Sequence, residues 1–358
     1  MCHKYNVNYS TLVSNYRSIS LLPVMSKILE KCFYTQLRDY YQYWNYLTPD
    51  QSGFRPNHST TTALLKVCND IQIGMEQGNL TGAIFLDFAM AFDTVDHGIL
   101  LEKLKNSGIG DRTLTWFQSY VSDRSQYVSI SGSSSLPLPV TCGVPQGSIV
   151  GPLLFTIFIN DLPNVCKASA VHMYADDTVI YTSKPNLRQL EAVLQEQFTE
   201  VEKWIKHNKL FLNTDKTVTM LFGTKSKLLK LQNPHLCVGT KSNGTLTTVT
   251  YLKYLGMWLD PNLTFGPHIE KLSSKLNPKL GALYRNKSCL SPVVRKQIVQ
   301  QIMPAIDYGD VVYAAAPQTH LQKLTTLYNS FCRFASHCNY MTHHCDMLKE
   351  LELAIAGV

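Results

Sequence analysis

The apolar positions in the first half of the chain follow helical and strand periodicities in turn. Residues 24–43 carry apolar side chains every three or four positions, which predicts a helix, and 60–73 and Asp111–Val121 show a similar pattern. The continuous apolar run Ala83–Phe88 is broken only by an aspartate, so we expect a buried strand there. Gln126–Ser131 alternates between polar and apolar residues and predicts a further strand.

The second half begins with a predicted β-hairpin and then becomes mainly helical. Two β-rich runs within 171–182 flank the sequence Ala-Asp-Asp, which places two adjacent carboxylates at the hairpin tip. Asn186 then stands where it can cap a long amphipathic helix. Further strands are predicted at Thr217–Phe222 and Thr248–Leu259, and helices at Pro267–Gly281 and from Pro292 onward. The predicted order is therefore helices, a mixed α/β centre and helices again.

The composition excludes a disordered chain and gives no signal for a membrane or secreted protein. Of the 358 residues, 45% are hydrophobic and 16% are charged. The longest apolar run, Ile149–Ile159, contains Gly151, Pro152 and Thr156 and is shorter than the roughly 20 residues of a membrane helix. Because the N-terminus lacks an apolar signal core and the ten cysteines include no Cys-x-x-Cys pair, we expect an intracellular protein with reduced thiols.

The net charge of +7 is unevenly distributed along the chain. Residues 201–290 hold 14 Lys/Arg against 4 Asp/Glu, a balance of +10, and the other 268 residues hold 19 against 22, a balance of −3. A basic surface beside an acidic centre is what a nucleic-acid enzyme with a metal site requires. The alternative is a solvated lysine-rich face with no ligand.

Three aspartates are candidates for a metal site. Asp87 ends a predicted buried strand, where an unpaired carboxylate is costly, and Asp176 and Asp177 repel each other at the predicted hairpin tip. A divalent cation removes both costs, and paired metals suit phosphoryl transfer. An isolated Asp-Asp pair is usually only a solvated turn, so the flanking sequence decides between the two interpretations.

The flanking sequence carries a set of motifs in a fixed order. The segments are Asn15–Pro23, Gln51–Thr60, Phe85–His97, Gly143–Phe155 with its continuation Ile159–Pro163, Tyr174–Thr178, Leu212–Thr217 and Tyr254–Asp260. They resemble, in that order, two fingers motifs and motifs A to E of the reverse transcriptases of non-LTR (LINE-like) retrotransposons. Among these, the resemblance is strongest to the jockey/CR1/L2-type elements. A Tyr-Ala-Asp-Asp sequence alone would be weak, but the ordered set extends over nearly the whole chain.

The resemblance implies an α+β right-hand polymerase fold with fingers, a palm made of an antiparallel sheet on helices, and a helical thumb. Residues 1–82 would be the fingers, truncated at the N-terminus. Residues 83–265 would be the palm with an interleaved fingers segment and motifs A to E. Residues 266–358 would be the thumb and a truncated C-terminal connection.

The implied activity is that of an RNA-directed DNA polymerase that extends a DNA 3′-hydroxyl on an RNA template. Its partners would be the RNA template, the DNA primer or target and dNTPs, with no membrane partner, and its cofactors two Mg²⁺ ions or Mn²⁺ in their place. The family's pathway is target-primed reverse transcription, in which an upstream region or a separate protein supplies the endonuclease. A nuclear or cytoplasmic ribonucleoprotein would be its location.

The resemblance also assigns the catalytic roles residue by residue. Asp87, Asp176 and Asp177 would be the catalytic carboxylates and metal ligands, with the backbone carbonyl of Phe88 completing the shell. Lys216 would protonate the pyrophosphate leaving group, which is general acid catalysis. A solvated loop lysine is the alternative for Lys216.

Other residues would bind the substrates. The cations predicted to clamp the triphosphate are Arg17, Lys27 and Arg55. Phe92 would exclude a 2′-hydroxyl and so select dNTPs, and Gln146 and Gly147 would lie beside the nucleotide and template. Tyr174 would contact the primer end, and Tyr254, Leu255 and Gly256 would grip the primer backbone. For Lys27 a solvated helix position is the alternative, and for either tyrosine it is a core role.

Two other functions and one other metal stay open at this point. A non-catalytic nucleic-acid-binding remnant would keep the fold without the activity, and an RNA-templated RNA polymerase would share the palm. The intact aspartates argue against the first, and Phe92 as a sugar gate argues against the second. The spacing of Cys332, His337, Cys338, His343, His344 and Cys345 does not fit paired zinc ligands.

Overall fold

The computed structural model consists of helices packed around a five-stranded sheet. It describes residues 2–3, 16–17, 19–130, 132–231, 234–240, 244–336, 342–343, 346–347 and 351. The helices are α1 (Val24–Tyr43), α2 (Thr60–Glu76), α3 (His97–Asn106), α4 (Asp111–Val121), α5 (Gly151–Phe158), α6 (Leu187–His207), α7 (Lys225–Leu229), α8 (Gly266–Arg285), α9 (Pro292–Ile302), α10 (Pro304–Asp307), α11 (Asp310–Tyr313) and α12 (Gln318–Ala335). The strands are β1 (Cys2–His3), β2 (Tyr16–Arg17), β3 (Leu80–Leu86), β4 (Arg124–Gln126), β5 (Ser129–Ile130), β6 (Ser133–Ser134), β7 (Leu138–Val140), β8 (Ala170–Tyr174), β9 (Asp177–Lys184), β10 (Val218–Phe222), β11 (Thr247–Thr248), β12 (Leu252–Tyr254) and β13 (Met257–Leu259).

The central sheet has the strand order β11-β10-β3-β9-β8. Neighbouring strands run antiparallel except for β10 and β11, which are parallel. β3 lies in the middle and all seven of its residues are buried. The α+β class with an antiparallel sheet, which the sequence predicts, is therefore what the structure has.

The side chains of β3 alternate between the two faces of the sheet, as the pleat requires. Leu80, Ile84 and Leu86 pack into a core that includes residues of α3, α4, α5 and α6. Ala83 and Phe85 pack on the opposite face, with α2, the β12–β13 hairpin and the start of α8. A separate apolar cluster joins α8, α9 and α12. The sheet therefore has helices on both faces, which explains why β3 reads as a continuous apolar run.

Local sequence signals predict several helices well. α4 has the predicted bounds, and α6 begins after Asn186, whose Oδ1 accepts a hydrogen bond of 3.0 Å from the Gln189 N–H. Such a cap contributes about 1 kcal/mol. The helix α1 is present as predicted, but only part of its apolar stripe is buried: Leu37 is 4% exposed, whereas Val24 is 74% and Ile28 is 56% exposed.

Two predicted strands are broken, and three helices come from segments for which no helix is predicted. Thr248–Leu259 is not one strand, because β11, β12 and β13 are separated by turns. Gln126–Ser131 contains the end of β4 and the whole of β5 rather than one continuous strand, and Ser131 lies outside the described residues. The helices without a prediction are α3, α5 and α7. None of the helices in the described part of the chain is long and apolar enough to cross a membrane.

Candidate active site

The strand register brings the three predicted carboxylates to one end of the sheet. Leu86 pairs with Thr178 across β3 and β9, so Asp87, one residue on, lies beside Asp177. Tyr174 pairs with Asp177 across β8 and β9, which leaves the two residues between them as the tip of the hairpin. The tip is thus Ala175–Asp176, and Asp177 belongs to β9, whereas the sequence prediction put both aspartates in the turn. Asp176 is half-buried and Asp177 is exposed.

The backbone around Asp87 is fixed by the segment before β10. The Asp87 N–H donates to Oγ1 of the buried Thr217 at 3.2 Å, and the Asp87 carbonyl accepts from the Asn213 N–H at 2.8 Å. The Ala89 N–H donates to the Phe211 carbonyl at 2.8 Å. Since backbone groups alternate in direction along an extended chain, the carbonyl of Phe88 points the other way, towards the hairpin. That is the direction its predicted role as a metal ligand needs.

Lys216 faces the first of these carboxylates. Its Nζ lies 3.9 Å from Oδ2 of Asp87, and the side chains are 57% and 42% exposed. Solvent screens a pair this exposed, so the contact adds little to stability. It does place an ammonium group at the carboxylate cluster, where a triphosphate would add negative charge.

A cavity of about 170 Å³ lies between β3, β9 and the β12–β13 hairpin. Its lining includes Asp87, Asp177, Lys216 and Tyr254. Tyr254 is 5% exposed, its ring packs edge-on against Phe85 at 5.2 Å, and its hydroxyl has no hydrogen-bond partner among the described residues. Burial, and then the charge of Asp177, raise the pKa of Tyr254 well above its ordinary value. Tyr254 therefore lines the cavity as a neutral phenol, and its buried hydroxyl has no partner among the described residues.

The chemistry of these donors fits a hard divalent cation. Three carboxylates at one sheet end and an outward-pointing backbone carbonyl supply the oxygen ligands that Mg²⁺ prefers. Within the described residues, however, no three Asp, Glu, His or Cys side chains are already gathered around one point. A bound ion would have to draw the carboxylates together by side-chain rotation.

Phe92 and Gln146 lie on the neighbouring motif A and motif B segments. Phe92 is half-buried, stacks on Phe155 with ring centroids 4.4 Å apart, and meets the edge of Phe54 at 6.4 Å. The Nε2 of Gln146 donates to Oδ2 of Asp93 at 3.0 Å. Burial raises the pKa of the Asp93 carboxyl, and the bond from Gln146 partly offsets this. The Gln146 amide is thus oriented by Asp93, which sequence reasoning missed.

Gly147 lies where only a glycine fits. Its φ of +108° is a left-handed conformation, and a Cβ there would come within 2.9 Å of the Ser20 carbonyl oxygen. The Ser20 N–H in turn donates to the Gln146 carbonyl at 2.8 Å. The motif B turn therefore contacts the segment before α1, within the first predicted fingers motif.

The three predicted triphosphate-binding cations lie on three different segments of the chain. Nη1 of Arg55 donates to the carbonyls of Thr48 and Gln51 at 2.7 and 3.2 Å, and burial lowers the pKa of this guanidinium. Lys27 is exposed on α1. Arg17 lies in β2, and its side chain is outside the described residues.

The residues predicted to grip the primer form a turn. Leu255 and Gly256, with φ of +43° and +87°, connect β12 to β13, and Tyr254 pairs with Met257 across them. Tyr174 is half-buried at the end of β8. Of the cysteines and histidines whose spacing does not fit a zinc site, Cys332 is buried in α12, and His337, Cys338, His344 and Cys345 lie outside the described residues.

Several residues with a clear place at this site were missed from the sequence. Gln51 bonds the hairpin tip, Thr217 fixes Asp87, Asp93 orients Gln146, and Tyr308 contacts the Leu255 carbonyl. Gln51 is the one that a signal could have revealed, because it opens the motif Gln-Ser-Gly-Phe-Arg.

Comparisons with known proteins agree with this geometry. The profile of the family described as reverse transcriptase (RNA-dependent DNA polymerase) matches residues 3–259. The chain is 30% identical over 361 residues to the RNA-directed DNA polymerase from mobile element jockey of Drosophila melanogaster, and 29% identical over 359 residues to the probable RNA-directed DNA polymerase from transposon BS of the same species. These alignments cover 97% and 95% of this chain but 38% of each relative.

The fold has a counterpart among solved structures. Telomerase from Candida albicans, solved in complex with the TWJ fragment of telomeric RNA, superposes with a TM-score of 0.50 over 92% of this chain and 58% of that one, at 12% sequence identity. This likeness supports the right-hand polymerase fold that the motifs predict. With a family profile that matches more than two thirds of its length, the chain belongs to the reverse transcriptase (RNA-dependent DNA polymerase) family.

Proposed function

We propose that this chain is the polymerase core of a non-LTR retrotransposon and extends a DNA 3′-hydroxyl with dNTPs on an RNA template. The observation that carries the proposal is the register that places Asp87 beside Asp177 and next to the Asp176 tip. Acidic groups brought together at a sheet end, beside a lysine, suit nucleotidyl transfer. Family membership supports the same reaction.

The metal chemistry is part of this proposal. Two Mg²⁺ ions, or Mn²⁺, bound by Asp87, Asp176, Asp177 and the Phe88 carbonyl, would lower the pKa of the primer hydroxyl and neutralise the triphosphate. Asp176 lies in the two-residue tip and Asp177 in the paired strand β9, and the Asp87 backbone is fixed by Thr217 and Asn213. Hydrogen bonds and strand pairing therefore hold the backbone that carries the carboxylates, and rotation of their side chains would bring them to the ions.

The other site residues bind and orient the substrates. Lys216, 3.9 Å from Asp87, would donate a proton to the pyrophosphate as it leaves. The Phe92 ring, backed by Phe155, would close the space for a 2′-hydroxyl. Tyr174 and the Tyr254–Gly256 turn would position the primer, and Arg55 would reach the triphosphate through guanidinium nitrogens other than Nη1.

The wider setting is inferred from the relatives. Residues 1–82, 83–265 and 266–358 would act as fingers, palm and thumb. The reaction would be target-primed reverse transcription within a ribonucleoprotein, and an endonuclease encoded upstream or supplied in trans would make the nick. The relatives are named for mobile elements, which is the support for this setting.

A primer-extension assay tests the proposal. Purified protein is given an RNA template, an annealed DNA primer, dNTPs and Mg²⁺, and Asp176→Asn is compared with Asp111→Asn, an exposed aspartate at the start of α4. We expect extension by the wild type and by Asp111→Asn, and a loss of at least about 100-fold for Asp176→Asn. A folded wild type that binds the hybrid without extending it would identify a non-catalytic remnant. Activity that survives in Asp176→Asn would reject the site.

A further inference from the structure

The side chain of Gln51 is buried against the tip of the catalytic hairpin. It is 0% exposed. Its Oε1 accepts hydrogen bonds from the Ala175 N–H at 3.0 Å and from the Gly53 N–H at 2.7 Å. Its Nε2 lies 3.5 Å from the Ala175 carbonyl oxygen. One buried amide therefore contacts both polar groups of the first tip residue.

Gln51 belongs to a segment, residues 50–53, that covers the outer edge of β8. We call it the strap. Its backbone forms a parallel bridge with β8: the Ser52 N–H donates to the Met173 carbonyl at 2.8 Å, and the Met173 N–H donates to the Asp50 carbonyl at 2.8 Å. Gly53 approaches so closely that a Cβ there would collide with the backbone nitrogen of Ala175. The strap is thus fitted to the backbone of the tip, which any side chain at Gly53 would push away.

The tip residue that Gln51 contacts has a strained conformation. Ala175 has φ of +57°, in the left-handed region that non-glycine residues rarely adopt. Such a conformation persists only where surrounding contacts impose it. Asp176 follows directly, so a change in the Ala175 dihedrals would swing its carboxylate away from Asp87 and Asp177.

The strap does not need the Gln51 amide to stay attached. Arg55 holds it through the carbonyls of Thr48 and Gln51, and the two backbone bonds to Met173 hold it to β8. What the Gln51 side chain adds is specific to the tip. We infer that Gln51 is a positioning residue that holds Ala175 in the left-handed conformation and thereby fixes Asp176 for nucleotidyl transfer. The expected effect of Gln51 on catalysis rests on the proposed function, whereas the contact between Gln51 and Ala175 does not.

Hydrogen exchange tests the contact without any need for activity. The test variant is Gln51→Met, which keeps the size of the side chain and removes its polar atoms. The matched control is Gln197→Met, because Gln197 is also buried, at 4% exposed, and its Oε1 accepts from a backbone N–H, that of Ala168, at 3.1 Å. We expect faster exchange in a peptide covering 173–178 for Gln51→Met alone. Equal exchange there in both variants would overturn the inference.

Steady-state kinetics test the positioning role. Gln51→Met is expected to lower kcat by about 10- to 100-fold, which matches the usual strain of a left-handed non-glycine residue, and to leave the KM for dNTP within about threefold. Gln51→Glu keeps the acceptor for both N–H groups and is expected to retain more activity than Gln51→Met. Adding Ala175→Gly to Gln51→Met is expected to restore part of kcat, since glycine adopts a positive φ without strain.

The proposed function and the positioning role of Gln51 can be disproved separately. If the folded wild type makes no DNA but the exchange pattern is as expected, the proposed function is wrong and Gln51 still holds the tip. If the wild type is active and Gln51→Met loses no more kcat than Gln197→Met, the positioning role is wrong and the polymerase stands. A failure of Ala175→Gly to restore any activity would also count against the role.

Discussion

The phenol oxygen of Tyr308 donates a hydrogen bond of 2.5 Å to the carbonyl oxygen of Leu255. It also lies 2.9 Å from Oγ1 of Thr60, a hydroxyl that can donate in return. Leu255 is in the β12–β13 turn, Thr60 begins α2, and Tyr308 follows α10. A Cβ on Gly256 would come within 3.0 Å of the Tyr308 ring, so the ring covers the turn closely. Tyr308, in the C-terminal helical region, therefore links the predicted primer grip to α2, which packs on the central sheet.

Tyr308→Phe should weaken the grip on the primer. Without the hydroxyl, the Leu255 carbonyl loses its bond and the turn can shift, so the KM for the primer–template is expected to rise about three- to tenfold, in line with a lost hydrogen bond of about 1 kcal/mol. The KM for dNTP should stay unchanged. Steady-state extension with each substrate varied in turn measures both values.

Tyr284→Phe is the matched control. The Tyr284 hydroxyl also donates to a backbone carbonyl, that of Ser330 at 3.1 Å, but it lies on α8 and contacts no predicted primer residue. If both variants raise the KM for the primer–template equally, the effect is one of general stability and Tyr308 has no special part in the grip.

The elements that local sequence predicts are those whose signals lie within a few residues. Nearby residues determine three such features: the buried run of β3, the Asn186 cap of α6 and the hairpin around Asp176. The break between β12 and β13 has no such local signal, because the turn at Gly256 packs against Tyr308, which is 52 positions further along the chain. Gln51 and Ala175 are 124 positions apart, so no periodicity could pair them.

In the candidate site, too, some features follow from local sequence and others depend on tertiary contacts. The motifs predict which carboxylates and which lysine meet, because each lies at the end of a recognisable element. They do not predict that Arg55 uses Nη1 on backbone carbonyls, since this depends on how the chain from Thr48 to Gln51 folds back on it. Tertiary contacts decide the role of such a side chain, and its residue type alone does not.

Lys216 is predicted to act as a proton donor, and two substitutions separate its proton from its charge. Lys216→Met removes both, and kcat is expected to fall about 100-fold or more, the usual contribution of a general acid. Lys216→Arg keeps the positive charge near Asp87 but cannot give up a proton, so it should lose nearly as much. Single-turnover extension measures the chemical step directly.

The control for Lys216 is an exposed lysine of α6. Lys203 pairs with Glu200 on the same helix, far from the carboxylates, and Lys203→Met should extend at the wild-type rate. If Lys216→Arg behaves like the wild type, the lysine acts through its charge alone, and the proton-donor role is wrong.

Acid should destabilise the protein through His172. This residue is 1% exposed in β8, its Nε2 lies 3.1 Å from Oγ of Ser52, and burial lowers its pKa to about 4, with Lys66 adding to the effect and Asp50 opposing it. The unfolded chain takes up a proton near pH 6.5 and the folded chain does not, so stability is lost as the pH falls from 6.5 to about 4. The loss is on the order of 2–3 kcal/mol.

Denaturant unfolding at several pH values measures this loss. In His172→Gln the free energy of unfolding should fall less steeply between pH 6.5 and 4 than in the wild type, whereas His235→Gln, at an exposed position, should follow the wild type. Burial also lowers the pKa of His268 to about 4, so the free energy of unfolding keeps some pH dependence in every variant. Parallel curves for His172→Gln and the wild type would show that His172 is not responsible.

Phe92 should decide between deoxyribonucleotides and ribonucleotides. Its ring stacks on Phe155, with centroids 4.4 Å apart, and lies at a right angle to the Phe54 ring, 6.4 Å away, and these contacts oppose its displacement by a 2′-hydroxyl. Phe92→Val opens that space, and the ratio of kcat/KM for a dNTP to that for the matching rNTP is expected to fall by about 10- to 200-fold, the range that a change of a few carbon atoms in a pocket gives. Phe92→Tyr keeps the ring and should keep the discrimination. Extension with each nucleotide alone gives the ratio, and an unchanged ratio in Phe92→Val would assign sugar selection to another residue and reopen the RNA-templated RNA polymerase as the function.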